Sequence, residues 1–246
     1  MKSPSLLLLA AVLASTPAVA AGQFDSYTLA LSWEPAFCES KPSASECASE
    51  SPGRFDAANL ILHGLWPDRS GGAGREVGYC GVDAATREFD RSAAWCRLPE
   101  PALSEATRAE LAEAMPGATS CLDRHEWTKH GTCSGMTADD YFARASALVS
   151  AVSKTAFGRY LSASAGRTVE LEGALAAFEA DFGPGSRDKL SLRCAQAGGK
   201  TALIEARLRL TNPLGPPSEL KTMLLPTGDR GDCPPSFLLD SAPARR

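Results

Sequence analysis

The stretch His125-Glu126-Trp127-Thr128-Lys129-His130-Gly131-Thr132-Cys133 reads as a helix, and its upstream counterpart Asn59-Leu60-Ile61-Leu62-His63-Gly64-Leu65-Trp66-Pro67-Asp68 opens as a strand. Read as helix, at about 100° per residue, the downstream stretch stacks His125 on Lys129 and Glu126 on His130. The four side chains then share an arc of roughly 140°, enough to line one wall of a cleft. The apolar run Asn59 to Leu62 leads directly into His63, which places His63 at or near the end of a buried strand. The chain has three histidines, and all three lie in these two stretches.

The flanking sequence alternates between strand and helix patterns. Tyr27-Leu29-Leu31-Trp33 recur with period two, as do Ile204-Ala206-Leu208-Leu210 opposite Glu205, Arg207 and Arg209, so both segments read as half-buried strands. Leu190-Leu192-Cys194 and Phe237-Leu238-Leu239 read as further strands. Helical spacing runs through Asp139 to Leu161 (Phe142, Ala145, Leu148, Val149, Val152, Ala156) and through Leu171 to Phe182. Ser104 to Met115 is another helix, capped by Ser104 and stopped by Pro116-Gly117. An α+β domain is expected. Gly71-Gly72-Ala73-Gly74, just beyond the first histidine, reads as a mobile surface loop beside the cleft.

The N-terminus carries Lys2, the apolar run Leu6 to Leu13 and the small-x-small sequence Ala18-Val19-Ala20, the pattern of a signal peptide over residues 1–20. The apolar run falls well short of the roughly 20 residues a membrane span needs, so an anchor is disfavoured and export to the periplasm or the medium is expected. Residues 21–246 hold no linker and read as a single domain of about 225 residues. The formal charge of −4 becomes −5 when the leader's one charge, Lys2, is removed, so a polyanion cannot be held by the global field and must be held locally. Eight cysteines in an exported chain point to four disulfides, although eight allow 105 pairings. A metal site would favour close C-x-x-C pairs, and the chain has none. Spacing lets Cys38 and Cys47 close a short loop and lets Cys194 and Cys233 tie the last strands together.

Four chemistries compete for the histidines. Burial as structural residues is the usual fate of a lone histidine, but three in two short stretches beside an acid and a cation make a functional cluster. Zinc hydrolysis needs the second histidine at i+4, where this chain has Lys129, whose ammonium repels a dication. A serine or cysteine nucleophile lacks its setting, since there is no G-x-S-x-G and the cysteines are expected to be oxidised. Metal-free phosphoryl transfer accounts for every group: one imidazole takes a proton, another delivers one, and cations steady the charge of the phosphorane. RNA supplies its own nucleophile, the 2′-hydroxyl; DNA lacks it and should not be cut.

With these residues assembled, His63-Gly64-Leu65-Trp66-Pro67 and His125-Glu126-Trp127-Thr128-Lys129-His130-Gly131 resemble the two active-site signatures of the ribonuclease T2 family, secreted endoribonucleases. The short Cys38–Cys47 loop and the acidic mature chain are most similar to its bacterial periplasmic branch. The resemblance implies a disulfide-stabilised α+β fold with a central, mainly antiparallel sheet flanked by helices. It also implies cleavage of single-stranded RNA without a cofactor, through a 2′,3′-cyclic phosphate to a 3′-phosphate. His130 would be the general base, His63 the general acid and His125 a phosphate ligand, with Glu126 and Lys129 stabilising the transition state. Trp66 and Asp68 match base-holding positions, by stacking and by accepting from an exocyclic amine. Trp127 reads as packing. Leu122-Asp123-Arg124 departs from the family pattern, because Leu122 stands where many members carry an aromatic of a second base site.

The resemblance further pairs Cys80 with Cys133 and leaves Cys96 for Cys121. RNA is then the expected partner, with no membrane contact and a monomeric state. The alternative from another class is a catalytically idle relative that binds RNA or acts as an inhibitor. Such relatives are expected to lose a catalytic histidine, and here each is present.

Overall fold

The computed structural model describes residues 24–69 and 77–242. The expected leader and the Gly71-Gly72-Ala73-Gly74 loop lie outside the described residues. The strands are β1 (Ser26–Trp33), β2 (Leu60–Asp68), β3 (Arg167–Glu170), β4 (Leu190–Ala197), β5 (Lys200–Thr211), β6 (Leu224–Leu225) and β7 (Ser236–Leu239). The helices are α1 (Glu34–Ser40), α2 (Ala84–Arg91), α3 (Glu105–Ala114), α4 (Leu122–Lys129), α5 (Ala138–Ser153), α6 (Ala156–Ala163), α7 (Leu171–Phe182) and α8 (Leu220–Met223). One sheet runs in the order β2-β1-β5-β7-β3, with β4 and β6 also pairing with β5. Every pairing is antiparallel except that of β5 with β7. The result is the α+β architecture expected from sequence.

Two β-bulges correct the expected strand pattern and prepare the site. In the β1–β2 ladder Ala30 faces Gly64 and Leu31 faces Leu62, so His63 is an extra residue with no partner. His63 therefore lies inside β2 and not at the end of a strand. The reason is in the leucines: Leu62 and Leu65 are three apart, and only an inserted residue lets both face the core opposite Leu31 and Leu29. The second bulge is Ile204, skipped between Leu203 opposite Cys194 and Glu205 opposite Arg193. Leu203 thus takes the core position expected of Ile204 and is fully buried, while Ile204 is only half-buried.

The helical pattern from Asp139 to Leu161 is also corrected. It is broken at Lys154-Thr155, where the Thr155 side chain accepts from Gly158 N at 3.0 Å and starts α6 as a new helix. Phe157, not Ala156, then carries the buried face. Ser104 caps α3 as expected, accepting from Thr107 N at 3.2 Å. The core joins Tyr27, Leu29, Leu31 and Trp33 of β1 to Phe142, Leu148 and Val149 of α5. Tyr141 of α5 donates its hydroxyl to Leu65 O at 2.7 Å, pinning the helix to the strand that carries His63.

Four disulfides join Cys38 to Cys47, Cys80 to Cys133, Cys96 to Cys121 and Cys194 to Cys233. Two of them bracket α4. Cys121, in the left-handed region at φ 63°, begins the helix and is tied to Cys96, and Cys133 lies just beyond its end.

Candidate active site

Gly64 faces α4, and the absence of a side chain there lets the Glu126 carboxylate approach β2. A Cβ at residue 64 would overlap both Glu126 Oε2 and Trp66 Nε1. In the space thus left, Trp66 Nε1 donates to Glu126 Oε2 at 2.7 Å. Glu126 is fully buried at the centre of the cluster. Its other oxygen, Oε1, lies 3.9 Å from His63 Nε2 and 3.8 Å from His125 Nε2. Burial pushes the Glu126 carboxyl above the usual range, against the opposing pull of His63, His125, the Trp66 bond and Lys129.

The two outer imidazoles are each anchored through Nδ1 by a buried carboxylate. His63 Nδ1 lies 2.6 Å from Glu205 Oε2, and His125 Nδ1 lies 2.6 Å from Asp90 Oδ1. Glu205 in turn accepts from Arg207 Nε at 2.5 Å, and Asp90 accepts from the Tyr79 hydroxyl at 2.6 Å. A carboxylate on Nδ1 calls for a proton there and turns Nε2 toward the cleft. Partial burial disfavours the His63 cation, but the Glu205 bond and the charges of Glu126 and Glu205 outweigh it, so His63 is held above the ordinary imidazole value. Its side chain keeps 37 % exposure, open to a substrate.

His130 is the opposite case. It caps the C-terminus of α4, is 4 % exposed and stacks on Trp66 with ring centroids 5.3 Å apart. Burial first, then the positive charges of Lys129, His125 and His63, pushes its pKa down to about 2. His130 is therefore neutral while His63 is biased toward its charged form. An anion drawn into the cleft would offset the positive charge around His130 and raise its basicity.

Of the residues singled out from sequence, His63, Trp66, His125, Glu126 and His130 come together in direct contact, and Lys129 acts on Glu126 and His130 through its charge. Asp68 lies two residues beyond Trp66 on β2, where its carboxylate accepts from Thr28 Oγ1 at 3.2 Å and Arg69 N at 2.7 Å rather than from a histidine. Trp127 packs edge-on against Tyr141. Leu122 packs toward Gly117. Sequence reasoning missed Glu205 and Arg207, read only as the polar face of a strand, and also Asp90, Tyr79 and Trp95. Trp95 stacks on His125 at 4.6 Å; its neighbour Cys96, tied to the start of α4, was the one available signal.

His125, Glu126 and His130 each offer a ligand atom within 4.8 Å of the others, a spacing that a cation could use. Against a dication stand Lys129, one turn from His125, and the Trp66 donor already placed on Glu126. What the arrangement does offer is a charged imidazole and a neutral one on either side of a buried acid, with an ammonium nearby, which is the equipment for moving two protons around an anion.

Comparison with known proteins is consistent with that chemistry. The model of the Ribonuclease T2 family matches residues 24–214. Ribonuclease I of Escherichia coli K12 is 33% identical over 242 residues, covering 90% of this chain and 88% of that protein. A ribonuclease of Aeromonas hydrophila is 38% identical over 128 residues, covering 52% of this chain and 46% of that protein. Among solved structures, trichomaglin, described as an S-like ribonuclease, aligns with a TM-score of 0.58 at 20% identity, covering 90% of this chain and all of that one. Ribonuclease MC1 from bitter gourd seeds aligns at 0.52 and 22% identity, covering 87% of this chain and 100% of that one. These two structures are alike in fold.

Proposed function

The chain belongs to the ribonuclease T2 family and is an endoribonuclease, and from that premise we propose that it cuts single-stranded RNA by metal-independent transphosphorylation. The observation that carries this reading is the opposite bias of two histidines around one buried acid: His63 held toward its cation by Glu205, His130 held neutral by burial and by Lys129. Acid and base must start in opposite protonation states, and the opposite shifts of His63 and His130 support that assignment. His130 takes the 2′-hydroxyl proton as the 2′-oxygen bonds to phosphorus. His63 gives its Nε2 proton to the 5′-oxygen as the phosphorus–oxygen bond breaks. His125 and Lys129 balance the charge on the pentacoordinate phosphorane, and Glu126, whose carboxyl burial biases toward its protonated form, donates a hydrogen bond to it. Water then opens the 2′,3′-cyclic phosphate to a 3′-phosphate with the two histidines exchanging roles.

Trp66 and Asp68 are proposed to hold a base, and DNA is left uncut for want of the 2′-hydroxyl. Export as a monomer to the periplasm or the medium is part of the same reading, supported by four disulfides. Among the described residues no helix is long and apolar enough to cross a membrane.

The test is incubation of the oxidised protein with a defined RNA and its DNA counterpart in excess EDTA, beside His63→Ala and His130→Ala. Cyclic phosphate ends that form on RNA alone, persist with chelator and fall by at least about 10³-fold in each variant are expected. RNA left intact by the wild-type protein from mildly acidic to neutral pH would overturn the reading in favour of an idle RNA-binding relative. Activity abolished by chelator and restored by a divalent ion would overturn its metal independence.

A further inference from the structure

We propose that Glu205, braced by Arg207, is the positioning residue that turns His63 into a proton donor, so that β5 and not only the two histidine-bearing stretches is part of the catalytic apparatus. The inference rests on the assignment of His63 as general acid and adds the group that makes it one.

Three geometric observations carry it. The His63 Nδ1 to Glu205 Oε2 contact is 2.6 Å, a charge-assisted distance, between residues 142 apart in the chain. Glu205 is 7 % exposed, and a carboxylate is seldom buried to that degree without a partner that repays its lost hydration. Its second oxygen is taken by Arg207 Nε at 2.5 Å, and the same guanidinium lies 5.3 Å from the centre of the Trp66 ring. Glu205 is therefore fixed at both oxygens, by the acid on one side and by a cation that also touches the Trp66 ring on the other.

The two bulges place this contact. The extra residue at His63 frees its imidazole from the regular alternation of β2, and the extra residue at Ile204 separates Glu205 from the core-facing Leu203. Glu205 consequently shares the polar face of β5 with Arg207 and Arg209, while Ala206, Leu208 and Leu210 remain in the core. The charged groups acting on His63 are Glu205, Glu126 and Arg207. Burial works against ionisation of Glu205, but the His63 bond, the His63 charge and Arg207 hold its carboxyl below the ordinary value, so it acts as an anion throughout. An anion on Nδ1 favours the imidazolium, fixes the Nδ1 proton and leaves the Nε2 proton as the one delivered to the 5′-oxygen.

The test compares wild type, Glu205→Gln and His63→Ala on two substrates: a dinucleoside phosphate that the wild type cleaves, and the matching nucleoside 3′-(4-nitrophenyl phosphate). Nitrophenolate departs without a proton, so a defect in the acid disappears on the second substrate. Glu205→Gln is expected to lose about 10- to 100-fold in kcat/KM on the dinucleoside near pH 7. Its alkaline limb should move to lower pH, and most of its activity should return with the nitrophenyl ester, in parallel with His63→Ala. An unchanged alkaline limb, or an equal loss on both substrates, would overturn the inference while cyclic phosphate release by the wild type leaves the transphosphorylation reading intact. No cyclic phosphate from the wild type would overturn that reading itself. Should the glutamine variant not fold, nitrogen NMR of the neutral His63 ring in the wild-type protein decides: a proton on Nδ1 supports the role of Glu205, and a proton on Nε2 overturns it.

Discussion

A methyl group on Gly64 would occupy the space through which Glu126 reaches Trp66, so Gly64→Ala is expected to be a catalytic lesion made without touching a titratable group. The acid and the indole must separate, and the buried Oε2 then loses its donor. A fall in kcat of at least about tenfold is expected, with a loss of about 1–3 kcal/mol in urea unfolding from the unpaired acceptor. Wild-type rates in this variant would show that the Trp66–Glu126 bond is dispensable. At this scale legibility followed sequence proximity. His125, Glu126, Lys129 and His130 could be read together because one helical turn brings them together. Glu205 and Asp90 could not, because each meets its histidine through a fold-wide contact, across 142 and 35 residues respectively. An acidic residue on a strand or at the end of a short helix has no local mark that distinguishes a partner of histidine from a solvated surface charge.

Helix α4, which carries the residues proposed for catalysis, is positioned at its two ends rather than by a long apolar face. Beyond Lys129, the loop residue Tyr79 donates its backbone N–H to Lys129 O at 2.7 Å, and Cys80 next to it is bonded to Cys133. Removing this disulfide in a Cys80→Ala/Cys133→Ala double variant opens a closure spanning 53 residues and should cost about 2–5 kcal/mol. It should also lower kcat, because Tyr79 both holds the end of α4 and bonds the Asp90 that anchors His125. The Cys38→Ala/Cys47→Ala variant, whose bridge spans only 9 residues, should lose less stability and leave kcat near wild type. Urea midpoints and initial rates of the two variants check this, and equal effects on rate would count against a special role for the Cys80–Cys133 bridge. Strands and helices with strong periodicity were legible as elements, including β1, α3 and α7. The bulges were not, since a bulge is defined by the strand it pairs with. The break at Lys154-Thr155 was hidden because apolar spacing continues across it, and only the Thr155 cap reveals two helices.

For the molecule as a whole, a second group of carboxylates controls how stability depends on pH. Glu34 is 3 % exposed, and its pKa is raised from 4.5 to about 8, first by burial and then by Glu46, Asp56 and Glu50, with Arg54 opposing. Glu50 is raised to about 7, again first by burial and then by Asp56 and Asp240. Between the ordinary carboxylate value and these raised values the folded state holds protons that the unfolded chain has released, so these groups make stability fall as pH rises through that window. His130 has the opposite sign: its depressed pKa keeps it neutral when folded, and stability is lost as pH falls below about 6.5, where the unfolded imidazole takes up a proton. Calorimetry should therefore find the highest Tm at about pH 4.5, where the two raised carboxylates and His130 balance, falling by several degrees by pH 8, at about 2–4 °C per kcal/mol for a domain of this size. Glu34→Gln, which keeps the shape without the charge, should flatten the alkaline side. An unchanged slope in that variant would remove Glu34 from the account.

The bulge at His63 can also be regarded as a dislocation in a two-dimensional lattice, one surplus row on β2 that β1 does not match. Dislocations glide unless something pins them. Here the pins are the three-residue spacing of Leu62 and Leu65 and the bare Cα of Gly64. If the defect moved one row toward the start of the strand, Leu62 would leave the core and the imidazole would exchange its place beside Glu205 for one in the regular ladder. A one-residue insertion or deletion between Leu60 and Leu65 should thus be far more damaging to activity than a substitution at the same place, because it moves the defect that holds the His63 imidazole.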